Sequence, residues 1–591
     1  MKPILRSFTV LATLAWAAAA AAAPAPAWVT ESNANATILL KVMAKYRPES
    51  ATRLGLSGYE DQISDFSHDR YQERRHDTEA AISELRGKLA ITTDPRVRQD
   101  IDILIDAADR DLTTSALDRK YFFPYYDPAS LLFGVTRSML DPRTPKEVRA
   151  RTVARLEKYA GLAKGYRPLT ELQRERTLER LAADPKLIGP YKGEVEQDLT
   201  NVPLLMGGMK SLLEKSGLKG WQKPYAALEK QVTDYYAWVR ADILPKARAD
   251  FRLPPEVYAN SLRDYGIDIP PDVLVARALT SFAEIRNEMQ SLSMMIAAEH
   301  KLPDPDYRAV LAATKKEQIP NDKLLEVYKS RLAEMEKLIR EHHVVTLPER
   351  QAVIRVASLA ESAQQPAPHM QAPQLIDNTG QYGEFVLSMS LPPDPSGKQM
   401  RYDDFSSYPV TWTLIAHEAR PGHELQFAHM VEGGVSLARA IFAFNSVNAE
   451  GWALYAEAEM KPYEPLDGQL WALWARLQRA ARAFLDPMLN EGKLTPQQVT
   501  DFLEHEVVLS PAMARQEVER YMFRAPGQAT SYFYGYQRLM QTREEAQLAL
   551  GDRFDREAFN DFVLDQGLLP PDMLEKAVLH TFVPEHAGKT H

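Results

Sequence analysis

The sequence predicts a mainly α protein with a small β-sheet beside a metal-binding motif. Three observations predict it. Apolar residues recur at helical spacing through most of the 591 residues, strand-like runs are few and lie just before one histidine motif, and 45% hydrophobic with 26% charged residues is an ordinary globular composition.

The elements follow in chain order. Lys2 and Arg6 precede an apolar, alanine-rich run from Phe8 to Ala23, which reads as a signal peptide over residues 1–27, cut after Ala27, with Ala22 as the other option. The run is short for a bilayer span, so no stable membrane anchor is expected, and the short signal places the protein in the periplasm or outside the cell. Helical stretches are expected near 73–90, 96–115, 145–164, 222–244, 271–299, 468–488 and 530–549. The clearest stripe is Leu324, Leu325, Val327, Tyr328, Leu332, Met335, Leu338 and Ile339. Residues 353–358 and 384–390 are the strand candidates, and prolines punctuate 302–306, 365–373 and 392–395. A coarse division gives a helical region at 28–345 and a catalytic region at 346–591.

Charge and composition exclude several classes. Removing the signal takes two positive charges off a formal net charge of −9, leaving −11, which argues against nucleic acid as a partner. There is no cysteine, hence no disulfide, thiol nucleophile, zinc thiolate or lipid-modified cysteine. Neither a glycine-rich phosphate loop nor a Gly-x-Ser-x-Gly elbow occurs.

The chemistry gathers at Thr413-Leu-Ile-Ala-His417-Glu418-Ala-Arg-Pro421-Gly422-His423-Glu-Leu-Gln426. Zinc peptidases commonly place two histidines four apart on a helix, with a glutamate after the first. Here they are six apart, and on an unbroken helix they would diverge by about 120°. Pro421 lacks the amide that would bond the carbonyl of His417, and Gly422 accepts angles other residues resist, including positive φ. The helix is therefore expected to bulge or break between 418 and 423 and return both rings to one site. Catalytic zinc takes three protein ligands and keeps one position open. Glu450, in Asn445-Ser-Val-Asn448-Ala-Glu450-Gly-Trp-Ala-Leu-Tyr455-Ala-Glu457, is the expected third, with Ser446 or Asn448 capping its helix. Glu457 lies seven residues on, sharing the face of Glu450, and is expected to orient a ligand histidine. The alternative for Glu450 is simple attraction to a helix start. His505-Glu506 has no histidine four or six residues later, and His342-His343 reads as an exposed helix end.

His417-Glu-Ala-Arg-Pro-Gly-His423-Glu-Leu-Gln followed by Glu450-Gly-Trp-Ala-Leu-Tyr resembles a bacterial family described as domain of unknown function 885. Arg53-Leu-Gly-Leu, Tyr258, Glu517-Val-Glu-Arg520-Tyr521 and Pro526-Gly-Gln528-Ala529 extend the resemblance over nearly all of the mature chain. Glu424 departs from it, standing where many relatives have a further histidine. The family is distantly similar to helical gluzincin peptidases. That likeness implies a large gluzincin-like helical architecture with a cleft, one Zn2+ per chain, and Glu418 as general base for a metal-activated water. It also implies a late tyrosine for the oxyanion. Tyr532 and Tyr536, four apart on one face of Ser531-Tyr-Phe-Tyr-Gly-Tyr536, are the candidates. Gln528, Arg520 and Arg543 are candidates for holding a peptide substrate. The competing readings are a zinc amidohydrolase acting on a non-peptide amide, and a catalytically inactive periplasmic binding or scaffold protein.

Overall fold

A computed structural model describes residues 26–68, 70–388 and 403–588. The signal segment up to residue 25, Met389 and Ser390 of the second strand candidate, and the prolines at 392–395 lie outside them. The described chain is mainly helical, with one three-stranded sheet.

The expected helices form, most of them a few residues longer than read. They include Arg70–Ile91, Pro95–Tyr121, Gln222–Trp238, Pro271–His300, Leu466–Asn490 and Ser531–Leu550. In Leu324–Glu341 the stripe buries Leu324, Tyr328, Leu332, Met335 and Ile339 and leaves its charged face to solvent. The stretch at 145–164 is instead two short helices, Lys146–Ala150 and Thr152–Tyr159, the second stopping ahead of Gly161.

Strand β1 is Val353–Val356, β2 is His369–Gln371 and β3 is Glu384–Leu387, in the order β1-β3-β2. β1 runs parallel to β3, and β2 antiparallel to it. β1 ends two residues early because Ser358 caps the helix Leu359–Gln364 in a reciprocal bond pair with Glu361. β2 falls in a proline-bounded stretch where no strand was expected.

Among the described residues, the three largest of four hydrophobic cores hold most of the chain. Helices Ala27–Tyr46, Arg70–Ile91 and Pro95–Tyr121 close on Ile82, Leu85, Ile101 and Leu104. A second core, around Phe133, Met209, Leu228 and Val232, joins the helices between 128 and 243. The largest runs from Ile103 to Phe582 and crosses residue 345 without a gap: Val344 and Val345 belong to it, and Pro271–His300 packs along Leu466–Asn490. The two regions interleave in this core, about a third of whose buried residues come from before residue 346.

Leu466–Asn490 is the axis of this core. It buries Trp471, Trp474, Leu477, Phe484 and Leu485, and it also buries Arg479, Arg482, Asp486 and Asn490. Those four polar residues, spaced three, four and four apart, form one stripe along the helix.

Candidate functional site

The helix Val410–Glu418 is buried along its whole length and stops where the sequence demands. Ala419 leaves the helical region at φ −105°, ψ −101°, the Arg420–Pro421 peptide is cis, and a second helix, His423–Glu432, begins after Gly422. The chain thus breaks fully rather than bulging within one helix. Gly422 is required for a different reason from the one expected. Its φ is −76°, open to any residue, but a Cβ there would lie 1.9 Å from the carbonyl oxygen of His417 and 2.3 Å from that of Ala416. Trp452 Nε1 donates to the Pro421 carbonyl at 3.0 Å and secures the turn.

The break brings the histidines together. Their ring centroids are 4.9 Å apart and nearly perpendicular. The helix Ser446–Met460 supplies Glu450; its cap is Asn445, whose side chain accepts from Asn448 N, rather than Ser446 or Asn448. Glu450 Oε2 lies 3.2 Å from His423 Nε2 and 3.6 Å from His417 Nε2. One donor atom from each of His417, His423 and Glu450 falls within 4.8 Å of the others, so these three side chains could hold one metal ion. On the far side of the ring, His417 Nδ1 meets Glu457 Oε1 at 2.6 Å, and Thr413 Oγ1 donates to Glu457 Oε2 at 2.6 Å. A carboxylate on one ring nitrogen fixes which nitrogen faces the site.

The electrostatics favour a cation. Glu418, Glu450 and Glu457 converge on two imidazoles in a largely buried place, and buried charge must be balanced. Burial opposes ionisation of Glu450 and Glu457. The histidines hold Glu450 well below the usual carboxylate range, and Arg479 and His417 hold Glu457 low. Burial pushes Glu418 up, while His417 and His423 pull it back. The donor set of two imidazoles and a carboxylate suits a divalent transition metal. His423 Nδ1 is buried without a partner among the described residues.

A second wall comes from residues 517–534. Tyr532 stacks near His417 with centroids 6.2 Å apart, and its hydroxyl accepts from Arg520 Nη2 at 2.8 Å. Arg520 also donates to Gln528 Oε1, while Gln528 Nε2 donates to Ser446 Oγ at 2.9 Å and reaches Glu450 Oε1 at 3.4 Å. Tyr536 and Arg543 are not brought to this site. Tyr536 lies against the Arg476 guanidinium, and Arg543 is ion-paired with Glu459 beside the ring of Tyr455. One and three turns along their helix from Tyr532, they have moved past the metal motif. His505 bonds the Asp501 carbonyl, His343 pairs with Glu557 and His342 stacks on Tyr463, all away from the site.

The buried stripe on Leu466–Asn490 was not foreseen as part of the site. Arg479 lies 3.7 Å from Glu457, and Arg482 forks onto Glu517 at 2.6 and 2.7 Å. Asp486 accepts from Tyr258 OH and from Gly527 N, both at 2.9 Å, anchoring the turn before Gln528. A polar stripe at helical spacing inside an apolar helix was the available signal. Glu424, fully buried, accepts from Arg420 at 2.9 Å and Arg350 at 2.6 Å, so the departing residue belongs to an ion network behind the site.

Two helices meet here with almost no space between them. A Cβ on Gly451 would lie 2.5 Å from the Gly535 carbonyl carbon, and one on Gly535 would lie 2.0 Å from the Val447 carbonyl oxygen. This crossing sets Tyr532 beside Glu450.

The fold has been seen before. A protein from Colwellia psychrerythraea, described as a "putative lipoprotein", is similar over 94% of this chain and 99% of its own, at 19% identity and a TM-score of 0.74. One from Shewanella oneidensis, described as a "putative lipoprotein of unknown function", is similar over 94% of this chain and 100% of its own, at 19% identity and a TM-score of 0.68. No curated protein matches the sequence. The family model of bacterial proteins of unknown function, DUF885, matches residues 48–578, and the chain belongs to that family.

Proposed function

We propose that the protein is a zinc-dependent peptidase with a gluzincin-like catalytic arrangement, acting outside the cytoplasm. One observation carries this reading: Glu418, next in chain to His417, places a carboxylate beside the His417–His423–Glu450 group, and no described side chain hydrogen-bonds or ion-pairs with it. A structural metal site needs no such group; a hydrolytic one does.

Zinc bound by that set would serve as a Lewis acid toward a carbonyl and would acidify water. The protein's own residues divide the remaining work. Glu418 takes the proton of the attacking water and delivers it to the leaving amine. Burial, which raises its affinity for protons, suits it to both directions. Tyr532 accepts from Arg520, so its own O–H remains to be donated to an oxyanion. Gln528 and Arg520 line the same wall and would hold the substrate backbone. A location beyond the inner membrane is supported by the signal-like first 27 residues; no helix among the described residues is long and apolar enough to cross a membrane.

The test is metal content and turnover together. Purified protein should hold about one zinc per chain, His423→Ala should lose it, and Glu418→Gln should keep it while turnover falls by about 10³. A peptide-library digest read by mass spectrometry should show cleavage that a chelator abolishes. Full zinc occupancy in His423→Ala would remove that ligand. Chelator-sensitive cleavage confined to non-peptide amides would make the protein an amidohydrolase, and a zinc-loaded protein without turnover on either would make it a binding protein.

A further inference from the structure

A cavity of about 850 Å³ lies away from the metal ligands, between the helices Arg70–Ile91 and Pro95–Tyr121, the helix Leu169–Ala183, and the segment around Phe523 and Pro526. That is the size of a ligand site rather than a packing defect. Phe523 and Pro526 belong to the same stretch that carries Arg520 and Gln528 to the metal site, so one segment borders both places.

Its lining is aromatic and cationic. Phe66 and Tyr126 meet edge to face, with Tyr71, Phe123 and Phe523 nearby. Of the arginines, Arg70, Arg74 and Arg176 are paired with Glu73, Asp111 and Glu179. Arg119, Arg180 and Arg248 are not: no described carboxylate lies within ion-pair distance of any of them. Arg119 rests on the ring of Tyr71, Arg180 donates to the Arg119 carbonyl at 2.9 Å, and Arg248 Nε is buried without a partner. Asp118 and Glu194 share the lining, but neither comes within ion-pair distance of these three guanidiniums. Three guanidiniums with no carboxylate in contact, set around aromatic walls, form a receptor for a carboxylate attached to an apolar body.

We propose that this cavity is a distal subsite that binds the part of a peptide carrying an aromatic side chain and a carboxylate, with Arg119, Arg180 and Arg248 as the anion-binding groups. The inference rests on the peptidase reading and deepens it by naming the substrate class: acidic, aromatic-containing peptides long enough to span both places. The carboxylate can be a side chain or the C-terminus.

The test uses full-length, zinc-loaded Glu418→Gln protein and a fluorescein-labelled Ala-Ala-Ala-Phe-Ala-Asp peptide, read by anisotropy. Arg180→Gln and Arg248→Gln should each weaken binding about tenfold. The C-terminal amide and the Asn analogue show which carboxylate is held: the neutralised form that loses about tenfold on wild-type arginines should lose nothing further on the variants. Arg119→Gln, at an exposed position, carries the test if either other variant melts early. Equal affinity for charged and fully neutral probes, affinity unchanged in all three variants, or no binding of any probe overturns the subsite. Cleavage is measured separately on protein retaining Glu418. Charge-dependent binding without cleavage removes the peptidase reading but keeps the cavity as a peptide site; cleavage with charge-independent binding removes the subsite alone.

Discussion

The helices Ser446–Met460 and Ser531–Leu550 cross at Gly451 and Gly535, and each starts at the candidate site, yet they serve it differently. The first keeps two residues there. Glu450 and Glu457 are about 10 Å apart along the axis, and both reach His417, one at each ring nitrogen. The second keeps one. Tyr532 faces His417, while Tyr536, about 6 Å further on, and Arg543, about 16 Å further on, meet Arg476 and Glu459 instead. Sharing a helix face is therefore not sharing a site. Glu457 stays because Val410–Glu418 runs beside its helix and holds His417 between the two glutamates. Ser531–Leu550 is flanked instead by Ser446–Met460 and Leu466–Asn490, whose Glu459 and Arg476 meet its later turns.

The sharpest test of this difference compares the two tyrosines. Tyr532→Phe should lower kcat by about 10²–10³ with metal content unchanged, the usual cost of removing one oxyanion donor. Tyr536→Phe should stay within about twofold, because its hydroxyl has no place among the metal residues. Steady-state kinetics on both, with zinc determined by mass spectrometry, decides the matter. Equal losses would mean that the second helix serves the site over two turns after all.

A smaller effect separates Glu457 from Arg543. Glu457→Ala releases His417 Nδ1 and should weaken metal affinity about 10–100-fold in a chelator competition. Arg543→Gln should leave metal affinity alone. It leaves the largely buried Glu459 with only Arg556, at 3.9 Å, and should appear as a lower melting temperature. Metal loss in the arginine variant would tie the distant end of the helix to the site.

The half of the site that was legible in the sequence is the half written locally. His417, Glu418 and His423 sit within seven residues, and the Pro-Gly insertion announces a break because no helix passes through it. Even there the physical role of Gly422 was not legible. Its φ is negative rather than positive, and what forbids a side chain is a carbonyl oxygen placed by the tertiary turn. Glu450 could be found because two carboxylates, Glu450 and Glu457, on one face of an apolar helix need a reason. The wall of Tyr532, Arg520 and Gln528 was readable as a set of residue types but not as an arrangement, since Tyr536 and Arg543 carry the same chemistry. Arg479, Arg482 and Asp486 were missed although their spacing was visible: the apolar pattern of Leu466–Asn490 was read, and the polar stripe within it was not. The helices themselves were legible from periodicity, whereas β2 was not, because three residues bounded by prolines carry no period.

The smallest expected effect compares two buried glutamates seven residues apart, and it concerns stability rather than turnover. Glu457 is held ionised by Arg479, His417 and Thr413. Glu464 has both carboxylate oxygens buried without a hydrogen-bond partner among the described residues, and burial, aided by Glu457, pushes its pKa up to about 8. In the unfolded chain it returns to about 4.5. A folded-state value raised in this way means that the folded protein holds a proton the unfolded chain releases. The contribution of Glu464 to stability is therefore complete below about pH 4.5 and is lost as pH rises through about 8. Glu464→Gln has the shape of the protonated acid and nothing to ionise. Its melting temperature should match the wild type near pH 5 and exceed it by a few degrees near pH 9, the gap opening between those values. Parallel melting curves across that range would show that the Glu464 carboxylate finds a counter-charge or water on ionising, and the contrast with Glu457 would then be one of partners rather than of charge.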